Sequence, residues 1–174
     1  MNPCVKRTWA QVGQTPVVQY RNRHHKKVSV IGAIATGPGD ALSVYTDWHP
    51  GCYVRSEEAL AFVHRLLQEI DGPVALVWDN LSAHKGPALR QLLADEPRLS
   101  IHYLPPYAPD LNPVEMLWCL TKHHRMANHA IDNLDTLEHE ARRHVTAVAA
   151  EHHLLAACFA NAGLPLALSP PSAE

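Results

Sequence analysis

The chain has 174 residues, enough for one domain with a real core, and a hydrophobic content of 47% that sets it apart from disordered chains. No apolar run approaches the ~20 residues of a membrane span, and the start, MNPCVKRTWA, lacks the apolar centre of a secretory leader, so a cytoplasmic protein with no membrane partner is expected. The net charge of −2 argues against DNA binding by the surface as a whole, but residues 1–39 hold Lys6, Arg7, Arg21, Arg23, Lys26 and Lys27 and no acid, while all 17 acids lie from Asp40 onward. A basic end of this kind can track phosphates while the rest stays acidic, and a solvated polar hairpin would carry the same charges.

Residues 15–20 alternate weakly, as a short strand would, and residues 21–25 are turn-like. Residues 27–36, KVSVIGAIAT, are rich in β-branched side chains and predict a strand; Gly37-Pro38-Gly39-Asp40 is a turn by composition, and residues 41–46 form the returning strand of an antiparallel meander. Ser56 suits an N-cap, with Glu57 and Glu58 in the first turn of a helix whose apolar positions are Leu60, Val63, Leu66, Leu67 and Ile70. Asp71-Gly72-Pro73 stops it. The run VALVW at residues 74–78 predicts a strand buried on both faces. Gly86-Pro87 opens a helix carrying Leu89, Leu92 and Leu93, which ends near Asp95-Glu96-Pro97, and residues 99–104 form the next strand. Leu134, Leu137, Ala141, Val145 and Val148 mark an amphipathic helix, and a last short helix over residues 151–161 is stopped by Gly163 and Pro165. The expectation is one domain over residues 1–165 and a disordered tail over 166–174.

Two carboxylates then stand just past the ends of two strands: Asp79 after the run ending in Trp78, and Glu115 after the proline-rich loop that follows residue 104. In an open α/β sheet that edge collects ligands. Carboxylates converging there suit Mg²⁺ or Mn²⁺, ions that support in-line phosphoryl transfer. Each acid also has a local role to play. Asp79 with Asn80 can make an Asx turn. Asn112 as N-cap, Pro113 as first and Glu115 as third helical residue come close to a capping box. Trp118 and Lys122, three and seven residues beyond Glu115, share its helical face, Trp118 for packing and Lys122 toward a phosphate or simply solvent. The 13 histidines give no zinc helix, since His139 and His144 are five residues apart where four are needed. The cysteines, Cys4, Cys52, Cys119 and Cys158, have no zinc spacing and read as free thiols, mostly packing.

The stretches WDNLSAHKG and LPPYAPDLNPVEMLW resemble the second and third acidic blocks of the DDE transposases of the mariner-like insertion-sequence superfamily, and RTWAQVGQTP at residues 7–16 resembles the segment following their first acidic block. The resemblance covers about residues 7–131. It implies a ribonuclease H-like α/β fold, a mixed sheet flanked by helices, here lacking the first, central strand that carries the first catalytic Asp. It implies that Asp79 and Glu115 are catalytic metal ligands for Mg²⁺ or Mn²⁺, and that Asn80 and His84 support the site or touch DNA. Lys122, Arg21, Arg23, Lys26 and Lys27 are the further candidates for DNA contact. The implied reaction is two-metal DNA strand cleavage and transfer on transposon ends and a target. An upstream transposase fragment is the expected partner, and a homodimer is compatible with the pattern. With the first Asp missing, the chain alone is expected to be inactive. Asp40 and Asp47 are poor substitutes by their place in the order. The competing readings are a non-catalytic remnant that binds DNA or a partner protein, and an unrelated divalent-metal hydrolase.

Overall fold

The structure, a computed structural model, describes residues 6–7, 9–17, 27–128, 131, 133–164 and 166. Strand β1 (Val28–Thr36) runs antiparallel to β2 (Leu42–Pro50), in register from Val28 opposite Pro50 to Thr36 opposite Leu42. Gly39, with φ of +69°, turns the connection. Helix α1 (Ser56–Glu69) leads to β3 (Val74–Trp78), then α2 (Pro87–Asp95) and β4 (Leu99–Tyr103), which lies parallel to β3 with Trp78 opposite Tyr103. Helices α3 (Pro113–Cys119), α4 (Leu134–Ala149) and α5 (His152–Asn161) complete the order. Among the described residues β1 pairs only with β2 and β3 only with β4, so there are two two-stranded sheets.

Helix α1 bridges them because its apolar residues form two rows. Ala59, Val63 and Leu67, each four apart, pack with Trp78, Leu89 and Leu99 against β3, α2 and β4. Phe62 and Leu66 pack with Ile31 of β1. Arg98 closes the end of α1: its guanidinium donates to the carbonyls of Leu67 and Ile70 (2.9 Å), acceptors that a helix C-terminus leaves unpaired, and to Gly72 O (3.4 Å) in the turn beyond. A third cluster, Leu117, Val145, Val148, Leu155 and Cys158, joins α3, α4 and α5 to the outer part of the hairpin. Burial pushes the Cys158 thiol up to about 11, as befits a packing residue, whereas Cys52 is exposed.

Several expectations are corrected. The N-cap of α1 is Arg55, not Ser56; the Arg55 N–H donates to Glu58 Oε2 (2.8 Å), so Glu58 closes the first turn. Strand β3 is covered on one face only, and Ala75 and Val77 are exposed, Val77 at 59%, because α1 and α2 pack on the same side. Strand β2 runs four residues past Thr46. Residues 15–17 are not a strand; the rest of that segment, the turn at residues 21–25 and nearly all of the expected tail lie outside the described residues. After Cys119 the helix widens into a π turn, Leu120–Arg125, in which the Met126 N–H reaches back five residues to Thr121 O (3.0 Å). Lys122 thus stands in this π turn and not in the regular α-helix that its spacing from Glu115 assumed.

Helix α3 is seated on β1 through Gly32. A Cβ built there would lie 2.6 Å from Trp118 Cζ2 and 2.8 Å from Cη2, so only glycine lets the indole lie on the strand. Gly32→Ala is expected to destabilise the chain by about 1–3 kcal/mol in urea denaturation, as overpacking does. Trp118→Phe in the same background should return part of that loss.

Candidate metal and nucleic-acid site

The site is built outward from the last rung of the parallel pair. Leu104 N–H donates to Trp78 O (2.7 Å), and the chain leaves the sheet at Asp79. Leu81 N–H donates to Asp79 Oδ1 (3.3 Å), the Asx turn that Asp-Asn suggests. Asn80 Nδ2 donates to Leu104 O (3.4 Å) and ties this turn to the loop after β4. The next four residues, Ser82–Lys85, make a 3₁₀ turn that carries His84 back over the strand end.

His84 is 6% exposed. Its ring stacks on Trp78, with centroids 3.9 Å apart, and its Nδ1 lies 2.6 Å from Asp79 Oδ1. Tyr103 Oη donates to the His84 carbonyl (2.7 Å), and Lys85 Nζ stands 5.5 Å from the Tyr103 ring centre. Burial pushes the His84 pKa below 6.5, while the Asp79 carboxylate pulls it up. A neutral imidazole beside a carboxylate carries its proton on Nδ1 and donates it. Asp79, with a side chain 38% exposed, thus takes two N–H donors on Oδ1, and Oδ2 is the oxygen left for an ion or solvent.

Glu115 sits in the first turn of α3, exposed. The cap does not use it: Asn112 Oδ1 accepts from Val114 N–H (3.1 Å), and the Asn112 N–H donates to Pro109 O (2.9 Å). Asp79 and Glu115 therefore follow the C-terminal ends of neighbouring parallel strands, one directly and one after a nine-residue-scale loop whose two ends are hydrogen-bonded. Their oxygens are the hard donors that Mg²⁺ and Mn²⁺ take. Among the described residues, however, no three His, Cys, Asp or Glu side chains stand together as a metal cluster. Asp47 is engaged elsewhere, with Arg65 (3.6 Å) and His49 (3.3 Å), on a strand that does not neighbour β3.

Two of the basic candidates are among the described residues. Lys27 Nζ lies over the Tyr53 ring, Lys122 is part-buried in the π turn, and Arg21, Arg23 and Lys26 lie outside the described residues. Arg125, also in the π turn, is paired with Glu151 (2.5 Å) and is not a free cation. The Trp78–His84 stack and the Tyr103 bond to the His84 carbonyl have no sequence signal of their own, since they join residues brought together by the turn and the sheet. Gly32 did have one, as the lone glycine inside a β-branched run.

A parallel β–α–β unit, an antiparallel hairpin and flanking helices make an α/β fold with two acids after the ends of its parallel strands. The chain belongs to the family described as DDE superfamily endonuclease, which matches residues 1–138. Among solved structures it is similar to the Mos1 strand transfer complex, with 18% identity and a TM-score of 0.54, covering 90% of this chain and 51% of that one. The Mos1 mariner paired end complex with Mn is similar to the same degree, 18% and 0.54, covering 91% and 52%. The chain thus spans about half the length of these structures. No curated protein matches. Among the described residues no helix is long and apolar enough to cross a membrane.

Two measurements check this geometry. In an NMR titration His84 should show a midpoint below 6.5. Its neutral, buried form then contributes stability that is present above pH 6.5 and lost as pH falls toward the lower folded value, because the unfolded chain takes the proton first. Asn112→Ala should cost about 1 kcal/mol by removing the α3 cap, read from denaturation midpoints.

Proposed function

We propose that this chain carries two metal-binding carboxylates, Asp79 and Glu115, of a centre for transposase-type DNA strand cleavage and transfer. The observation that supports it most is the built state of Asp79: in a DDE endonuclease family member, its carboxylate is held at the end of a parallel strand by His84 and Leu81 N–H, both on one oxygen. Divalent Mg²⁺ or Mn²⁺, when bound there, supplies charge neutralisation at the reacting phosphate. The chain's own groups do the rest. His84 and Asn80 fix the carboxylate, since partners behind a metal ligand orient it. Glu115 offers a side chain that its helix cap does not need. Lys122, Lys27 and the segment with Arg21, Arg23 and Lys26 offer cations for DNA phosphates.

The centre needs a third carboxylate for a second ion. Among the described residues β1 pairs only with β2 and β3 only with β4, and we read their other edges as able to take one further strand, of the kind an upstream transposase segment would supply. On this reading the DNA partners are transposon ends and a target, the chain works in the cytoplasm, and two copies can act together. The described residues, with no three-ligand cluster, also favour a second reading, a remnant that binds DNA or a partner protein without cutting. An unrelated metal hydrolase has no support once the family is known.

Manganese alone distinguishes these readings. Weak Mn²⁺ binding to the 174-residue chain, followed by paramagnetic line broadening, should vanish in Asp79→Ala and in Glu115→Ala, and fall about 10- to 100-fold in His84→Ala. Binding that is untouched by either carboxylate change would sink the assignment. The chain alone should not nick supercoiled DNA, and adding the upstream segment should restore nicking, again dependent on Asp79. Replacing Arg21, Arg23, Lys26 and Lys27 with Ala should lower the salt slope of DNA binding by about 3 to 4, at ~0.9 per phosphate contact.

A further inference from the structure

The last rung of the parallel pair sets Trp78 opposite Tyr103, and both residues hold His84. Trp78 stacks its indole on the imidazole, with centroids 3.9 Å apart, and Tyr103 Oη donates to the backbone carbonyl (2.7 Å). One strand thus holds the ring of His84 and the other holds its main chain. Two holds on one residue leave little rotation between them, and they keep Nδ1 at 2.6 Å from Asp79 Oδ1.

The two aromatic residues differ in what else they do. Trp78 is 9% exposed and belongs to the core cluster under α1. Tyr103 is 42% exposed and, among the described residues, belongs to none of the apolar clusters. Its ring stands 5.5 Å from Lys85 Nζ, at the far end of the same turn. A phenylalanine would cover as much surface and face Lys85 as well, so the hydroxyl is the part of Tyr103 that packing does not account for. Tyr103 also leads directly into Leu104, whose carbonyl accepts from Asn80 (3.4 Å). The connection to Glu115 therefore starts from the residue that restrains the turn of Asp79.

We propose that Tyr103 is a positioning residue for the Asp79 carboxylate, acting through His84. The proposal rests on the metal reading above and adds to it a residue from the second strand. A carboxylate already held in place loses less freedom when it takes an ion, so releasing the His84 backbone weakens the ion's hold without touching either acid.

The test uses the 174-residue chain with Mn²⁺ alone as the probe. Tyr103→Phe removes the hydroxyl and keeps the ring. Ser100→Ala is the control, because Ser100 Oγ donates to Val74 O (3.5 Å) across the same two strands and far from His84. In the metal-free wild type the His84 Nδ1 proton, bonded to a carboxylate, should resonate downfield of the amides, and the Trp78 indole should shift the carbon-bound ring protons of His84 upfield. Tyr103→Phe should lose the first signal, relax the second and bind Mn²⁺ about 2- to 12-fold more weakly, the worth of one hydrogen bond. Ser100→Ala should leave all three as in the wild type. Wild-type His84 signals or wild-type affinity in Tyr103→Phe, or an equal loss in Ser100→Ala, overturns the inference and leaves the metal reading standing. Failure of the wild type to bind Mn²⁺ overturns both.

Discussion

The placement of everything else depends on the two-rowed packing of α1. Among the described residues the sheets it serves share no ladder, so no strand pairing fixes one against the other. The rows do: Ala59, Val63 and Leu67 hold the parallel pair and Phe62 and Leu66 hold the hairpin. Burial of a single side chain of this size is worth about 1.5–3 kcal/mol, a sizeable part of a net stability of roughly 5–15 kcal/mol. Two polar clasps in its C-terminal half add to this. Arg98 grips the last carbonyls of α1, and Arg65 donates to Thr46 O (2.8 Å) on the hairpin side. The carboxylate edge inherits its position from this arrangement, because α3 sits on β1 while Asp79 leaves β3.

At that edge, local needs and site needs have been separated. Asp79 serves its own turn with one oxygen. Glu115 has no local duty, since Asn112 caps the helix and Pro109 receives the spare N–H. Leu81, Tyr107 and Leu111, on the connections that carry these acids, are exposed and so is Lys85, whereas Arg125 is paired and Lys122 part-buried. Contact with a ligand through shape and ring faces is thus as prominent here as contact through charge.

Much of the fold was legible in the sequence because its signals are local. Residues 74–78 and 99–104 are apolar runs of strand length bounded by turns, and the α4 positions Leu137, Ala141, Val145 and Val148 are all buried as their spacing requires. What was not legible depends on distant partners. A run such as VALVW looks the same whether one face or two are covered, and only the common side taken by α1 and α2 exposes Val77. The π turn follows from no residue in LTKHHR; it accompanies a buried Thr121 whose hydroxyl donates to Leu117 O (2.9 Å) while Met126 reaches the α4 cluster. Asp79 and Glu115 could be singled out by motif, but the Trp78 stack and the Tyr103 bond that hold His84 come from tertiary closure. Arg55 displaced Ser56 as the cap because Glu58 supplied the closing bond from inside the helix.

The Tyr103–His84 bond has a consequence for motion. The turn that holds Asp79 is laced to both strands: its histidine lies on a β3 side chain and its backbone is held by a β4 hydroxyl. A surface connection of this length ordinarily opens by itself, well below the free energy of global unfolding. This one cannot swing away without releasing contacts to both strands, so it belongs to their cooperative opening unit. The turn that carries the carboxylate is therefore expected to open together with the two strands and not ahead of them.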